Sequence, residues 1–230
     1  MKKMIHTLRA LSLLLAYPDA LVRGRLTDLA DAIDAEAAVP AARRAEIRAL
    51  ANAMARTEPI ELEARYVDLF DRSRATSLHL FEHVHGDSRD RGPAMIDLHR
   101  TYEAGGMFMD SAKELPDHLC VVLEFASTQP PAIAREFLGE MAHILQAIFS
   151  ALRQRDSTYA VLLAAVLELA GHKAQAVAVP ADEALDDSWA EPEVFGGCST
   201  RGQAAPGQPQ PIRIVRRGAP STTASQGVRP

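Results

Sequence analysis

Between Ile133 and Leu152 the chain sets Ile133, Phe137, Met141, Ile144, Leu145, Ile148 and Leu152 at intervals of three and four residues. Only an α-helix gathers residues so spaced onto one side, and the pattern persists for about five turns. It predicts a long helix with one buried face, which has to be covered by other elements of the same kind. The sequence supplies them. Met4, Leu8, Leu11 and Leu15 repeat the stripe ahead of Pro18. Val22, Leu26, Leu29 and Ile33 carry it through a second helix over 19–36. Pro40 opens a third with Ile47, Leu50 and Met54 inward, as suits proline in a first turn. Leu62, Tyr66, Leu69 and Phe70 mark a fourth, and Met95, Leu98 and Tyr102 a fifth that starts at Pro93 and stops at Gly105 and Gly106. A sixth follows Pro116, with Leu119, Val122, Leu123 and Ala126 on one face.

A last helix over about 158–170 is apolar on most of its surface, through Val161, Leu162, Leu163, Val166 and Leu167, so it should lie centrally, with Gly171 ending it. No stretch alternates in the manner of a strand. The expected fold is all-α: a single helical-bundle domain over residues 1–178. Beyond it, 179–198 packs acids around Trp189, the only tryptophan, ahead of Phe195, and either folds back or remains an arm. Residues 199–230 are rich in Pro, Gly and Gln, have almost nothing to bury, and are expected to be a disordered tail.

The net charge is −5, but the tail after residue 198 holds five arginines and no acid, which leaves the preceding chain at −10. Such a body offers nucleic acid no footing. Cys120 and Cys198 are far apart and outside any C-x-x-C pattern, which suits free thiols in a reducing compartment. Lys2 and Lys3 ahead of a leucine run resemble a secretion signal, yet Arg9 interrupts the run and no A-x-A-like site follows. The longest apolar run, Ala160 to Leu167, is far short of the roughly 18 residues a membrane span needs. The expectation is a cytoplasmic protein with no stable membrane association.

The stretch "SLHLFEHVHGDSRDRG" (77–92) contains His79, Glu82 and His83 in the order H-x-x-E-H, which in inverted zinc peptidases supplies two metal ligands and a glutamate base. Taken as a helix over 77–85, capped by Thr76 or Ser77 and ended by Gly86, it places His79 and His83 on one face, away from Phe81 and Val84. A zinc peptidase would also need a third ligand and a water-excluding cleft. Glu140 and Glu168 are available for the former, but neither lies in a motif. Zinc ligands, partner-facing histidines and buried hydrogen-bonded histidines all remain compatible with the residues. The flanking charges, Asp71, Arg72 and Arg74 before and Asp87, Arg89, Asp90 and Arg91 after, suit a solvated turn or a polar network offering guanidinium donors to a partner.

The segment "YVDLFDRSRATSLHLFEHVHGDSRDRGPAMIDL" (66–98) and "ELPDHLCVVLEFAS" (114–127) together resemble the delta-subunit, or NarJ-type, assembly chaperones of respiratory nitrate reductase, a branch of the redox enzyme maturation proteins. Tyr66, Phe70, Asp71, Arg72, Ser77 through Gly86, Ser88 through Gly92 and Glu114 through Leu119 carry the likeness. Pro93, Cys120 and Asp87 depart from it, standing where the family favours Gln, Pro and Glu. The resemblance implies a non-enzymatic chaperone without cofactor or metal. It would hold the catalytic α-subunit, partly by its N-terminal segment, until molybdenum cofactor and iron–sulfur clusters are inserted, with cofactor-delivery proteins as further partners.

The residues expected to meet the partner are Tyr66, Leu69, Phe70, Leu80 and Phe81 as apolar anchors in a groove between helices. Arg89, Arg91 and Asp117 are placed at its polar rim, and Glu82, His85, Asp90, Glu114, Pro116 and His118 around it. His79 and His83 are expected to respond to pH. Tyr66 and Phe70 equally suit a plain core, and His118 a capping role. A zinc-dependent hydrolase and a generic helical adaptor are the alternative readings.

Overall fold

Leu8, Leu11, Leu14 and Leu15 are wholly shielded from solvent while Ile5, His6 and Arg9 are exposed, so the first helix buries one face against the rest of the protein. The computed structural model describes residues 3–86, 88–109 and 114–177, all within one unit spanning 1–185. The expectations for 179–198 and 199–230, with Trp189, Phe195 and Cys198, lie outside the described residues. Among the described residues there are eleven α-helices and one 3-10 turn, with no strand.

The order is α1 (Ile5–Leu15), α2 (Ala20–Arg23), α3 (Leu26–Glu36), α4 (Ala41–Arg56), α5 (Pro59–Phe70), a 3-10 turn at Arg74–Thr76, α6 (Leu80–Val84), α7 (Arg91–Ala104), α8 (Leu119–Thr128), α9 (Pro131–Glu140), α10 (Ala142–Gln154) and α11 (Ala160–Ala170). Helix α1 packs on α3 and α8, α3 on α4, and α11 on α9 and α10, with α1 and α4 also against it. Nine of the 11 residues of α11 are buried, so it is the central rod that its uniformly apolar sequence predicts. Gly171 ends it at φ 88°, a left-handed conformation that glycine adopts without steric cost.

Two predicted helices are each divided. The segment 19–36 becomes α2 and α3: Asp19 accepts the Val22 N–H at 2.8 Å to cap a single turn, and the chain re-aims at Gly24 and Arg25. The long stripe over 133–152 becomes α9 and α10, divided at Met141 (φ −93°, ψ 2°). Ile133, expected inward, is 51% exposed. A straight rod of that length would span about 30 Å and could not keep both halves against α11. The break lets each half pack separately.

Two cores result. The main one draws on every described α-helix except α7. A smaller one holds Leu98 and Tyr102 of α7 against Val121 and Phe125 of α8, and Phe81, Phe137 and Met141 touch both. Helix α1 has no cap of its own. The Glu36 carboxylate reaches it from the end of α3 and accepts the His6 and Thr7 N–H groups at 3.2 and 2.7 Å.

Candidate partner-binding site

The second helix capped from a distance is α6, and its cap organises the predicted site. Residues 78–80 run antiparallel to 117–119: Leu119 N–H donates to the Leu78 carbonyl at 2.8 Å, and Leu80 N–H to the Asp117 carbonyl at 3.0 Å. This short ladder brings the wholly buried Asp117 carboxylate to the start of α6, where Oδ2 accepts the Phe81 N–H at 3.1 Å. A five-residue helix that cannot cap itself is thereby given the acceptor its first turn lacks. His79 Nδ1 lies 3.4 Å from Asp117 Oδ1 and Arg91 Nη2 3.6 Å from Oδ2, so the buried carboxylate has an imidazole and a guanidinium as neighbours. The hydrogen bond to Asp117 raises the pKa of His79 above the ordinary histidine value, against the opposing effect of partial burial.

Around this centre the polar groups are tied to one another. Ser77 O–H donates to Glu82 Oε2 at 2.6 Å, and Arg91 Nη2 lies 3.4 Å from Glu82 Oε1. His83 Nε2 is 2.9 Å from the Ser77 carbonyl, an acceptor, so that nitrogen carries the proton. His118 Nδ1 accepts the Cys120 N–H at 3.4 Å, capping α8. Its ring meets that of His79 edge-on, with centroids 4.9 Å apart. Burial, then the proximity of His79, push the pKa of His118 down to about 4. The His85 ring packs edge-on against Phe81 at 5.6 Å. Pro116 is buried, and its carbonyl accepts the Tyr102 hydroxyl at 2.7 Å.

The H-x-x-E-H geometry expected from the sequence is not formed. His79 precedes α6 in an extended conformation (φ −83°, ψ 100°), and α6 begins only at Leu80, so His79 and His83 do not stand one turn apart on a common helix. Their nitrogens serve Asp117 and the Ser77 carbonyl instead. Among the described residues, no group of three or more His, Cys, Asp or Glu is placed to hold a metal ion. Val84, assigned to the packing side, is 51% exposed; Leu80 is the α6 residue that is buried. Asp117 and His118 precede α8 and do not lie in its first turn, and Asp117 caps α6.

The expected apolar anchors are dispersed. Tyr66, Phe70 and Leu80 lie within the main core, and Tyr66 donates its hydroxyl to the Leu15 carbonyl at 2.8 Å. As the chain stands they join helices and present no surface. Leu69 is half-buried and lines a cleft of about 630 Å³ with Leu50, Met54, Leu62 and Tyr159, bounded by α4, α5 and the turn before α11. Phe81 is half-buried beside Asp117. The solvent-facing members are polar: Arg89, Asp90 and Glu114 are exposed, while His79, Glu82, His83, His85, Arg91 and His118 are half-buried. Ser77 and Tyr102 were not expected at the site. Ser77 serves it through both its hydroxyl and its carbonyl, and Tyr102 fixes Pro116; the sequence carries no local signal for either contact.

A bundle of short helices around a central apolar rod, with a buried carboxylate joining α6, α7 and the approach to α8, defines an all-helical protein whose candidate site is a connected polar network. The family model for the nitrate reductase delta subunit matches residues 36–165, and the chain belongs to that family. It is 41% identical over 193 residues to the nitrate reductase molybdenum cofactor assembly chaperone NarJ of Escherichia coli K12, covering 80% of this chain and 81% of the relative. It is 37% identical over 157 residues to the nitrate reductase-like protein NarX of Mycobacterium tuberculosis, where the match spans 67% of this chain and 23% of the relative. A crystal structure assigned as a redox enzyme maturation protein from Archaeoglobus fulgidus shares the fold: TM-score 0.52, 21% identity, 73% of this chain and 94% of that one.

Proposed function

We propose that this protein is a dedicated chaperone for respiratory nitrate reductase. It binds the catalytic α-subunit before its cofactors are in place, partly through that subunit's N-terminal segment, and keeps it competent for molybdenum cofactor and iron–sulfur insertion. It then leaves before membrane assembly is complete, acts in the cytoplasm and catalyses no reaction itself. Proteins that deliver the molybdenum cofactor are its further partners. The observation that carries this reading is the 41% identity to an assembly chaperone of that enzyme over four-fifths of the chain.

The geometry supports recognition in preference to hydrolysis. The two histidines of H-x-x-E-H are engaged by different partners, and Glu82 is held by Ser77 and Arg91. The accessible edge formed by His79, Glu82 and Arg91, flanked in sequence by Arg89 and Asp90, offers a partner both guanidinium donors and carboxylate acceptors. Among the described residues no helix is long and apolar enough to cross a membrane.

The test is a pull-down with the full chain from cells respiring nitrate, with cofactor content measured on whatever α-subunit is captured. Preferential capture of the cofactor-free α-subunit is expected, and Arg89→Ala with Arg91→Ala should weaken it. Capture of neither form, or equal capture of empty and loaded subunit, would sink the proposal. A generic adaptor would show no preference for this subunit.

A further inference from the structure

Beyond α11 the chain is held against α10. Gln146 Nε2 donates to the Gln175 carbonyl. The Ser150 hydroxyl accepts the Val177 N–H at 2.9 Å while donating to the Gln146 carbonyl at 2.7 Å. Gln146 and Ser150 stand one turn apart, about 6 Å along the helix, and two residues of extended chain cover about 6.6 Å. Residues 175–177 therefore run beside α10 in the direction of the helix, toward its end at Gln154. Ala174 packs on the main core just before them.

That direction follows a second cleft, of about 490 Å³, which Ala174 lines with Leu50, Ala53, Phe149, Arg153 and Val161. It adjoins the cleft lined by Leu69, with Leu50, Ala53, Ser157 and Thr158 common to both. Its charges are Arg43, Glu46 and Arg153, whereas Asp68 and Asp156 line only the larger cleft, so the smaller one carries an excess positive charge. Arg43 is taken by Glu46 and Glu168. Arg153 is exposed and forms no ion pair among the described residues.

We infer that residues 178–185 form a strap that continues along α10 and closes the smaller cleft, with Asp182 and Glu183 at Arg153 and Leu185 over the apolar floor. This segment, AVPADEAL, falls in the same unit as the cleft. Asp182 follows Val177 by five residues, a reach of about 17 Å at full extension. Arg153 lies three helical residues past Ser150, about 4.5 Å along the axis, so the segment is long enough with slack to spare. The first charges after Lys173 are these two acids, which supply what Arg153 lacks. Pro180 suits an extended approach and has no N–H to satisfy. Exposed ion pairs are weak singly, so the carboxylates and Leu185 hold the strap together. The cleft is thereby a seat for the chain's own residues and is shut to other molecules while the strap lies in it.

A nitroxide label at Ala181→Cys in the full chain tests this by NMR line broadening, with Cys120→Ala and Cys198→Ser so that only the new thiol is labelled, and Cys120→Ser as a second background. Amides near Ser150 broaden in any case, because position 181 is four residues from Val177. The informative amides are 49–53 of α4 and 157–161 at the start of α11, which are expected to broaden beyond the rest of the chain. Asp182→Lys with Glu183→Lys should raise the ratio of open to closed strap about fivefold and weaken that broadening; adding Arg153→Glu should restore it. No selective broadening at 49–53 and 157–161, as for a cleft reserved for another protein, overturns the strap. So does broadening that survives the charge reversal or that Arg153→Glu fails to restore. Labelled chain mixed with unlabelled, isotope-enriched chain should leave the latter sharp; broadening there assigns the cleft to a second copy and overturns the proposal.

Discussion

Asp117 shows how much one side chain can organise when it is buried among its partners. Its carboxylate ends the first turn of α6, steadies His79 and draws in Arg91. Asp117→Ala leaves the Phe81 N–H without an acceptor and should cost about 1–3 kcal/mol, read from urea denaturation. Asp117→Asn keeps an acceptor oxygen but removes the charge, so the pKa of His79 should fall in an NMR titration. The two neighbouring histidines respond to pH in opposite senses. The raised pKa of His79 contributes stability that is complete below about 6.5, the unfolded histidine value, and is lost as pH rises through the folded value. The pKa of His118, depressed to about 4, works the other way: its contribution is intact above about 6.5 and is lost as pH falls toward 4. A shift of that size corresponds to at most about 3 kcal/mol. Stability measured against pH should therefore peak near 6.5, and His118→Asn should flatten the acid side. Client-peptide affinity measured by calorimetry should also vary between about pH 5 and 7; a flat profile with His79 and His83 both intact would show that neither bears on binding.

Among the elements, α1 and α7 are opposites. Leu11 of α1 is wholly buried between α3, α8 and α11, and Leu11→Ala should lower the global unfolding free energy by about 3–5 kcal/mol. Leu98 of α7 is nearly as buried but belongs to the smaller core. Leu98→Ala should chiefly accelerate exchange across 91–104 and shift the urea midpoint less than the change at Leu11; equal shifts would show that α7 unfolds only with the rest. At Gly86 an added Cβ would clash with the Arg74 guanidinium, in a backbone region that side chains disfavour. Gly86→Ala should cost about 1 kcal/mol or more, the Arg74 end being flexible enough to relieve part of the clash.

For the molecule as a whole, the helical stripes of Met4–Leu15, Ile47–Met54 and 160–170 were legible because a helix face is a local property, written every three or four residues. So were the all-α class, the centrality of α11 and the glycine that ends it. The division at Met141 was not, because an unbroken stripe reads the same whether one helix or two carries it, and only the need to cover α11 from two directions selects the break. The expected start of a helix at 77 failed for a related reason. Whether His79 is inside α6 depends on Asp117, which is 38 residues away and arrives through pairing of 78–80 with 117–119. Tyr66 and Phe70 were compatible with surface or core until α1 and Tyr159 closed over them. Sequence by itself determined which faces had to be buried, since that depends on side-chain spacing along one helix. Tertiary structure alone decided which helix covers which face, and which carboxylate caps which helix, because those contacts join residues that the chain keeps far apart.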